Sequence, residues 1–169
     1  RSWVKPGTAI ALLVDRSGSM GGKPLATSAM AAAAVAWRSP EDYSVIAFGK
    51  DVVVAKGQTS TKSGEQVVND VLALRGFGTT DLAGALLAAG DQLSRTRAGR
   101  RITVILSDCR ATVEGDVQAA ARALDEVVIL APLGDDAEAR VLASQVGARI
   151  ACIDGPSDIP SALQTVLGD

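Results

Sequence analysis

The chain has 169 residues, 47% hydrophobic and 21% charged, with a formal net charge of -2, which fits one soluble globular domain and excludes fibrous, disordered and disulfide-scaffold classes. It has no histidine, so the commonest general base, the usual partner of a nucleophilic serine or cysteine, and any imidazole zinc site are absent. Two cysteines, five aromatic residues and 17 basic against 19 acidic residues exclude an all-thiolate zinc site, a stacking surface for single strands and a basic grip on nucleic acid.

Six short apolar runs read as strands: Ala9 to Val14, Tyr43 to Phe48, Val52 to Val54, Ile102 to Leu106, Val127 to Leu130 and Ile150 to Ile153. Most are continuously apolar, the pattern of strands buried on both faces of a parallel sheet. Between them, apolar residues recur at helical spacing. Lys23 to Trp37 forms a long alanine-rich helix, and Val67, Val68, Val71 and Leu72 mark a shorter one. Leu82 to Leu93, Val117 to Leu124, Ala139 to Val146 and Ile159 to Val166 follow. Each presents one apolar stripe.

Alternation of strand and helix predicts an α/β fold: a doubly wound, mostly parallel six-stranded sheet with helices on both faces. Only Gly49-Lys50-Asp51 separates the second and third runs. That is too short for a helical crossover and predicts one antiparallel edge strand, Val52 to Val54. Gly57 to Gly64 reads as a surface loop. The longest apolar stretch, Leu25 to Trp37, falls short of the roughly 18 residues of a membrane span, so no membrane role is expected. The chain starts at Arg1 without leader or initiator methionine. We therefore expect a single domain, residues 1–169, cut from a longer protein, and the sparse cysteines suit the cytoplasm.

Oxygen-bearing residues gather at strand ends and helix entrances. Asp15-Arg16-Ser17-Gly18-Ser19 follows the first strand, with a carboxylate and two hydroxyls on alternate positions of a turn that Gly18 keeps tight. Gly76-Phe77-Gly78-Thr79-Thr80-Asp81 precedes the Leu82 helix, and Asp108 follows the fourth strand after Ser107. In a doubly wound sheet, ligands bind outside the strand carboxyl ends, where the winding reverses.

Asp15-x-Ser17-x-Ser19, the Gly-Thr-Asp element and Asp108, in this order across essentially the whole chain, resemble the metal-ion-dependent adhesion site of von Willebrand factor A domains. The resemblance implies a Rossmann-like fold and a metal held by Asp15, Ser17, Ser19, Thr80 and Asp108. Ser17 and Ser19 would bind directly, and the two aspartates mostly through ordered water. Thr79 is an extra threonine where the family often has glycine, which leaves a one-residue shift in the Thr80 assignment open. Cys109 stands where glycine commonly follows the aspartate.

A hard cation suits these donors, since magnesium takes oxygen ligands at about 2.0–2.1 Å and keeps several waters. Manganese is an alternative on the same ligands, whereas zinc and copper favour nitrogen or sulfur. Neutral hydroxyls leave such an ion electrophilic toward an outside carboxylate. The resemblance thus implies a magnesium-dependent, non-enzymatic protein-binding module that captures an Asp or Glu of a partner. Asp-Arg-Ser-Gly-Ser-Met, the Leu106 to Thr112 segment and the Asp154 to Asp158 tail resemble bacterial intracellular members that work beside AAA+ ATPases of the MoxR type or in magnesium-chelatase-like assemblies. The alternative is a metal-assisted hydrolase or phosphatase, although a two-aspartate phosphatase would want a carboxylate at Ser17.

Other readings of the same residues need no metal. Asp15, Ser17 and Ser19 could cap the following helix, and Asp81 is expected to cap the Leu82 helix. Gly22-Lys23 mimics a nucleotide-binding loop but lacks glycine at Ser17 and a hydroxyl at Pro24. Gly76-Phe77-Gly78 lacks the third glycine of a dinucleotide fingerprint. Cys109 is expected to fill space at the rim of the site and Cys152 to lie in the core, both free, because the strands carrying them are two apart. Arg16 and Arg110 flank the site.

Overall fold

The computed structural model describes residues 7–16, 24–73, 79–111 and 115–168. Its strands are β1 (Thr8–Asp15), β2 (Tyr43–Phe48), β3 (Val52–Lys56), β4 (Arg100–Leu106), β5 (Glu126–Pro132) and β6 (Arg149–Ile153). The helices are α1 (Pro24–Arg38), α2 (Gly64–Ala73), α3 (Leu82–Leu93), α4 (Val117–Arg122), α5 (Ala137–Val146) and α6 (Ile159–Leu167), the last preceded by a 3-10 turn at Pro156–Asp158. All six expected strands form, in the order β3-β2-β1-β4-β5-β6. Neighbours pair in parallel except β2 with β3, the expected antiparallel edge.

The apolar runs of β1, β2, β4 and β5 form strands with helices covering both faces. Ile10, Leu12 and Val14 of β1 face a cluster built with α1, α2 and α6, whereas Ala9, Ala11 and Leu13 face α3, α4 and α5. The chain winds outward from β1 to β3 and then crosses back to β4 on the other side of β1. The switch point therefore lies between the carboxyl ends of β1 and β4. Among the described residues no helix is long and apolar enough to cross a membrane.

Three expectations need correction. The Gly57 to Gly64 segment is not all surface, because Gln58 is buried. Its backbone N–H donates to Gln92 Oε1 at 2.7 Å and its side-chain amide to Asp42 Oδ1 at 2.9 Å. Cys109 is not a rim residue; it is buried in the apolar cluster under α3, α4 and α5. Cys152 is not core: on edge strand β6 it is half-buried, and its thiol donates to Asp136 Oδ2 at 3.2 Å. Both cysteines are free.

Candidate metal centre

Parallel pairing of Val14 with Leu106 sets the last residue of β1, Asp15, beside Ser107. Asp15, Ser107 and Asp108 are all buried, at 1%, 0% and 0% exposure. The Ser107 hydroxyl donates to Asp15 Oδ2 at 2.6 Å and accepts the Cys109 backbone N–H at 2.9 Å. One residue on, the Arg110 backbone N–H donates to Asp108 Oδ1 at 3.0 Å. This turn holds Cys109 at φ 62, the left-handed region that glycine enters freely and other residues rarely do.

The second cluster reaches the same end of the sheet through the β2–β3 turn. The Asp81 backbone N–H donates to Gly49 O at 2.7 Å, and the Arg16 N–H donates to Phe48 O at 2.6 Å. The successive carbonyls of Phe48 and Gly49 thus stitch the exit of β1 and the start of α3 to one turn. Thr80 is buried here at 2% exposure, whereas Thr79 is exposed. Asp81 does cap α3, accepting the Gly84 N–H at 2.9 Å.

The structure therefore brings Asp15, Thr80 and Asp108 to the carboxyl ends of the strands around the switch point. Ser17 and Ser19, and with them Gly76 to Gly78, lie outside the described residues. Arg110 flanks Asp108 but does not neutralise it, because its guanidinium pairs with Asp135. Ser107 and Gly49 had not been singled out as site residues. The register of β1 on β4 identifies Ser107, a signal available only once the strand order is known.

A buried carboxylate oxygen needs a partner. Asp108 Oδ2 has no hydrogen-bond partner among the described residues. A hard cation or its bound water supplies what such an oxygen lacks, and the surrounding hydroxyl and carboxylate donors are of the kind magnesium or manganese accepts. Among the described residues no three His, Cys, Asp or Glu side chains gather as a metal cluster, so a metal here would rely on hydroxyls as well as the two aspartates. Burial first, then the charges of Asp108 and Asp15, push the Cys109 thiol up to about 12. It stays protonated and adds no charge to the site.

The sequence profile of the von Willebrand factor type A domain matches residues 10–111. No curated protein matches by sequence. Among solved structures, an aerotolerance-related membrane protein from Bacteroides fragilis, carrying multiple mutations to serine, superposes with a TM-score of 0.73 at 16% identity. That match covers 95% of this chain and 98% of the other. Proximal thread matrix protein 1 from the mussel byssus, with zinc in its metal-ion-dependent adhesion site, gives a TM-score of 0.69 at 14% identity. It covers 96% of this chain, which spans about half of the mussel protein, 48%. Manganese-loaded TRAP protein from Plasmodium vivax gives 0.72 at 15% identity over 95% of this chain and 73% of that one. The profile match takes in β1 through the turn after β4, the part of the fold that carries Asp15, Thr80 and Asp108, and on it the chain belongs to the von Willebrand factor type A domain family.

Proposed function

We propose that this domain is a magnesium-dependent, non-enzymatic protein-binding module whose metal site captures an Asp or Glu carboxylate of a partner. The observation that carries this reading is the buried Asp108 Oδ2 at the switch point, which has no hydrogen-bond partner among the described residues. Asp15, Ser17, Ser19, Thr80 and Asp108 would hold the ion, the hydroxyls as neutral donors and the aspartates as the charge. When bound, the ion supplies an electrophilic position open to an outside carboxylate. Manganese is the natural substitute, and the manganese held by the Plasmodium relative supports the same donor chemistry.

The reading requires no general base, in keeping with a histidine-free chain. It extends to a cytoplasmic role within a longer protein, residues 1–169 forming one domain that docks on an AAA+ ATPase of the MoxR type or in a magnesium-chelatase-like assembly. Nucleic acid and membrane are not among its partners.

The test uses immobilised domain and lysate of the source organism under three conditions: wild type in magnesium, wild type in EDTA, and Asp108→Ala in magnesium. A protein retained only in the first is the expected result, with circular dichroism showing the variant folded. Equal retention in all three overturns the reading. Hydrolysis of a generic phosphate ester is expected to stay at background.

A further inference from the structure

We propose that Ser107 is the positioning residue of this site, its hydroxyl fixing the Asp15 carboxylate in the orientation that a divalent cation requires. The inference rests on the metal reading above and adds to it a residue outside the five assigned to the metal.

A serine hydroxyl has one proton, and a free rotor can send it anywhere. Here the rotor is fixed. Ser107 Oγ accepts the Cys109 N–H at 2.9 Å, which leaves its proton for Asp15 Oδ2 at 2.6 Å, the length of a strong hydroxyl-to-carboxylate bond. Ser107 and Asp15 are both buried, so water does not compete. The left-handed backbone at Cys109, φ 62, redirects the chain immediately beyond that amide. The same turn points the Arg110 N–H at Asp108 Oδ1, 3.0 Å away. One four-residue turn, 107–110, thus orients both buried aspartates from the end of a single strand.

Removing a group that orients a metal-holding side chain typically weakens metal affinity about 10- to 100-fold. The probe is Mn2+, titrated into wild type, Ser107→Ala and Ser107→Thr and followed by the electron paramagnetic resonance signal of the free ion. Apparent melting temperatures in EDTA are recorded alongside. We expect Ser107→Ala to weaken Mn2+ binding at least about tenfold and Ser107→Thr, which keeps the hydroxyl, to restore most of it. In an Asp15→Ala background, Ser107→Ala should bring no further loss, because the oxygen it orients is gone.

A serine that merely supports the fold would lower the melting temperature of Ser107→Ala while leaving Mn2+ affinity unchanged, and that outcome overturns the proposal. So does an equal Ser107→Ala loss with and without Asp15. Should wild type bind no Mn2+, the metal reading fails and this inference fails with it. Should wild type bind and Ser107→Ala bind equally well, only this inference fails.

Discussion

At the residue scale, Cys109 combines two properties that oppose each other. Its side chain packs into the apolar cluster and favours burial, while its backbone sits at φ 62, where a residue with a Cβ is held at a cost of about 1–2 kcal/mol. Glycine escapes that cost but leaves the unfolded chain more freedom, worth about 0.4–1 kcal/mol at an ordinary position. The two effects have opposite signs at Cys109. Cys109→Gly should therefore be at least as stable as Cys109→Ala, whereas at an ordinary buried site glycine is the weaker of the pair. Urea midpoints decide it. A clear advantage for alanine would show that the backbone here does not hold the left-handed conformation in solution. The thiol itself, pushed up to about 12 by burial and by neighbouring carboxylates, should resist alkylation at neutral pH in the folded protein and react only on unfolding.

At the scale of elements, α3 shows how one glycine lets a helix start beside the site. Asp81 accepts the Gly84 N–H at 2.9 Å, and a Cβ on Gly84 would sit 2.4 Å from Asp81 Oδ2. Losing the cap by Asp81→Ala should cost about 1 kcal/mol. Gly84→Ala, which at a free helix position would gain about 1 kcal/mol, should instead destabilise because the cap carboxylate must move. In the Asp81→Ala background the sign should reverse. Thermal denaturation of the four proteins closes this cycle, and a stabilising Gly84→Ala on its own would contradict the geometry. The Asp81 cap was readable because a carboxylate before an apolar-periodic run is a local signal. Strand identity was readable for a similar reason, doubly buried runs such as Ile102 to Leu106 having no polar face to disguise them. Strand ends were less so: β4 and β5 extend back to Arg100 and Glu126, polar residues that take their places in the sheet beside Thr8 and Ile102 and join each other only through a side-chain ion pair. Gln58 escaped notice because nothing nearby in sequence announces Gln92 and Asp42, its partners from 34 and 16 residues away. Asp15, Thr80 and Asp108 were legible as oxygen donors at element ends, while Ser107 became visible only through the β1–β4 register.

For the whole molecule, the sheet separates its work between its two ends. The candidate site occupies the carboxyl ends of the parallel strands, and a polar cluster ties the amino ends together. Glu126, first in β5, receives Arg100 Nε of β4 at 2.8 Å and Arg149 of β6 at 2.6 Å. Arg100 also donates to Leu167 O at 2.9 Å, and Arg38 donates to Gly168 O at 3.0 Å. Guanidinium groups thus meet the carbonyl end of α6, the sign a helix C-terminus prefers. The Arg100 hydrogen bond, joined by the charges of Arg100 and Arg149, holds the Glu126 carboxyl below its ordinary value of 4.5 against the opposing effect of burial. A depressed folded-state value means that the unfolded chain takes up the proton first. The cluster's contribution is therefore complete above the ordinary value and drains away as pH falls through the lower, folded one. Glu126→Gln should cost less than about 1 kcal/mol at pH 7, since the pair is partly exposed. The gap between it and wild type should narrow steadily from about pH 4.5 downward. Urea midpoints at pH 7, 5 and 3 measure this, and a gap still undiminished at pH 3 would refute the linkage. Mn2+ affinity of Glu126→Gln at pH 7 should match wild type, because the substitution lies at the end of the sheet that carries none of the proposed ligands.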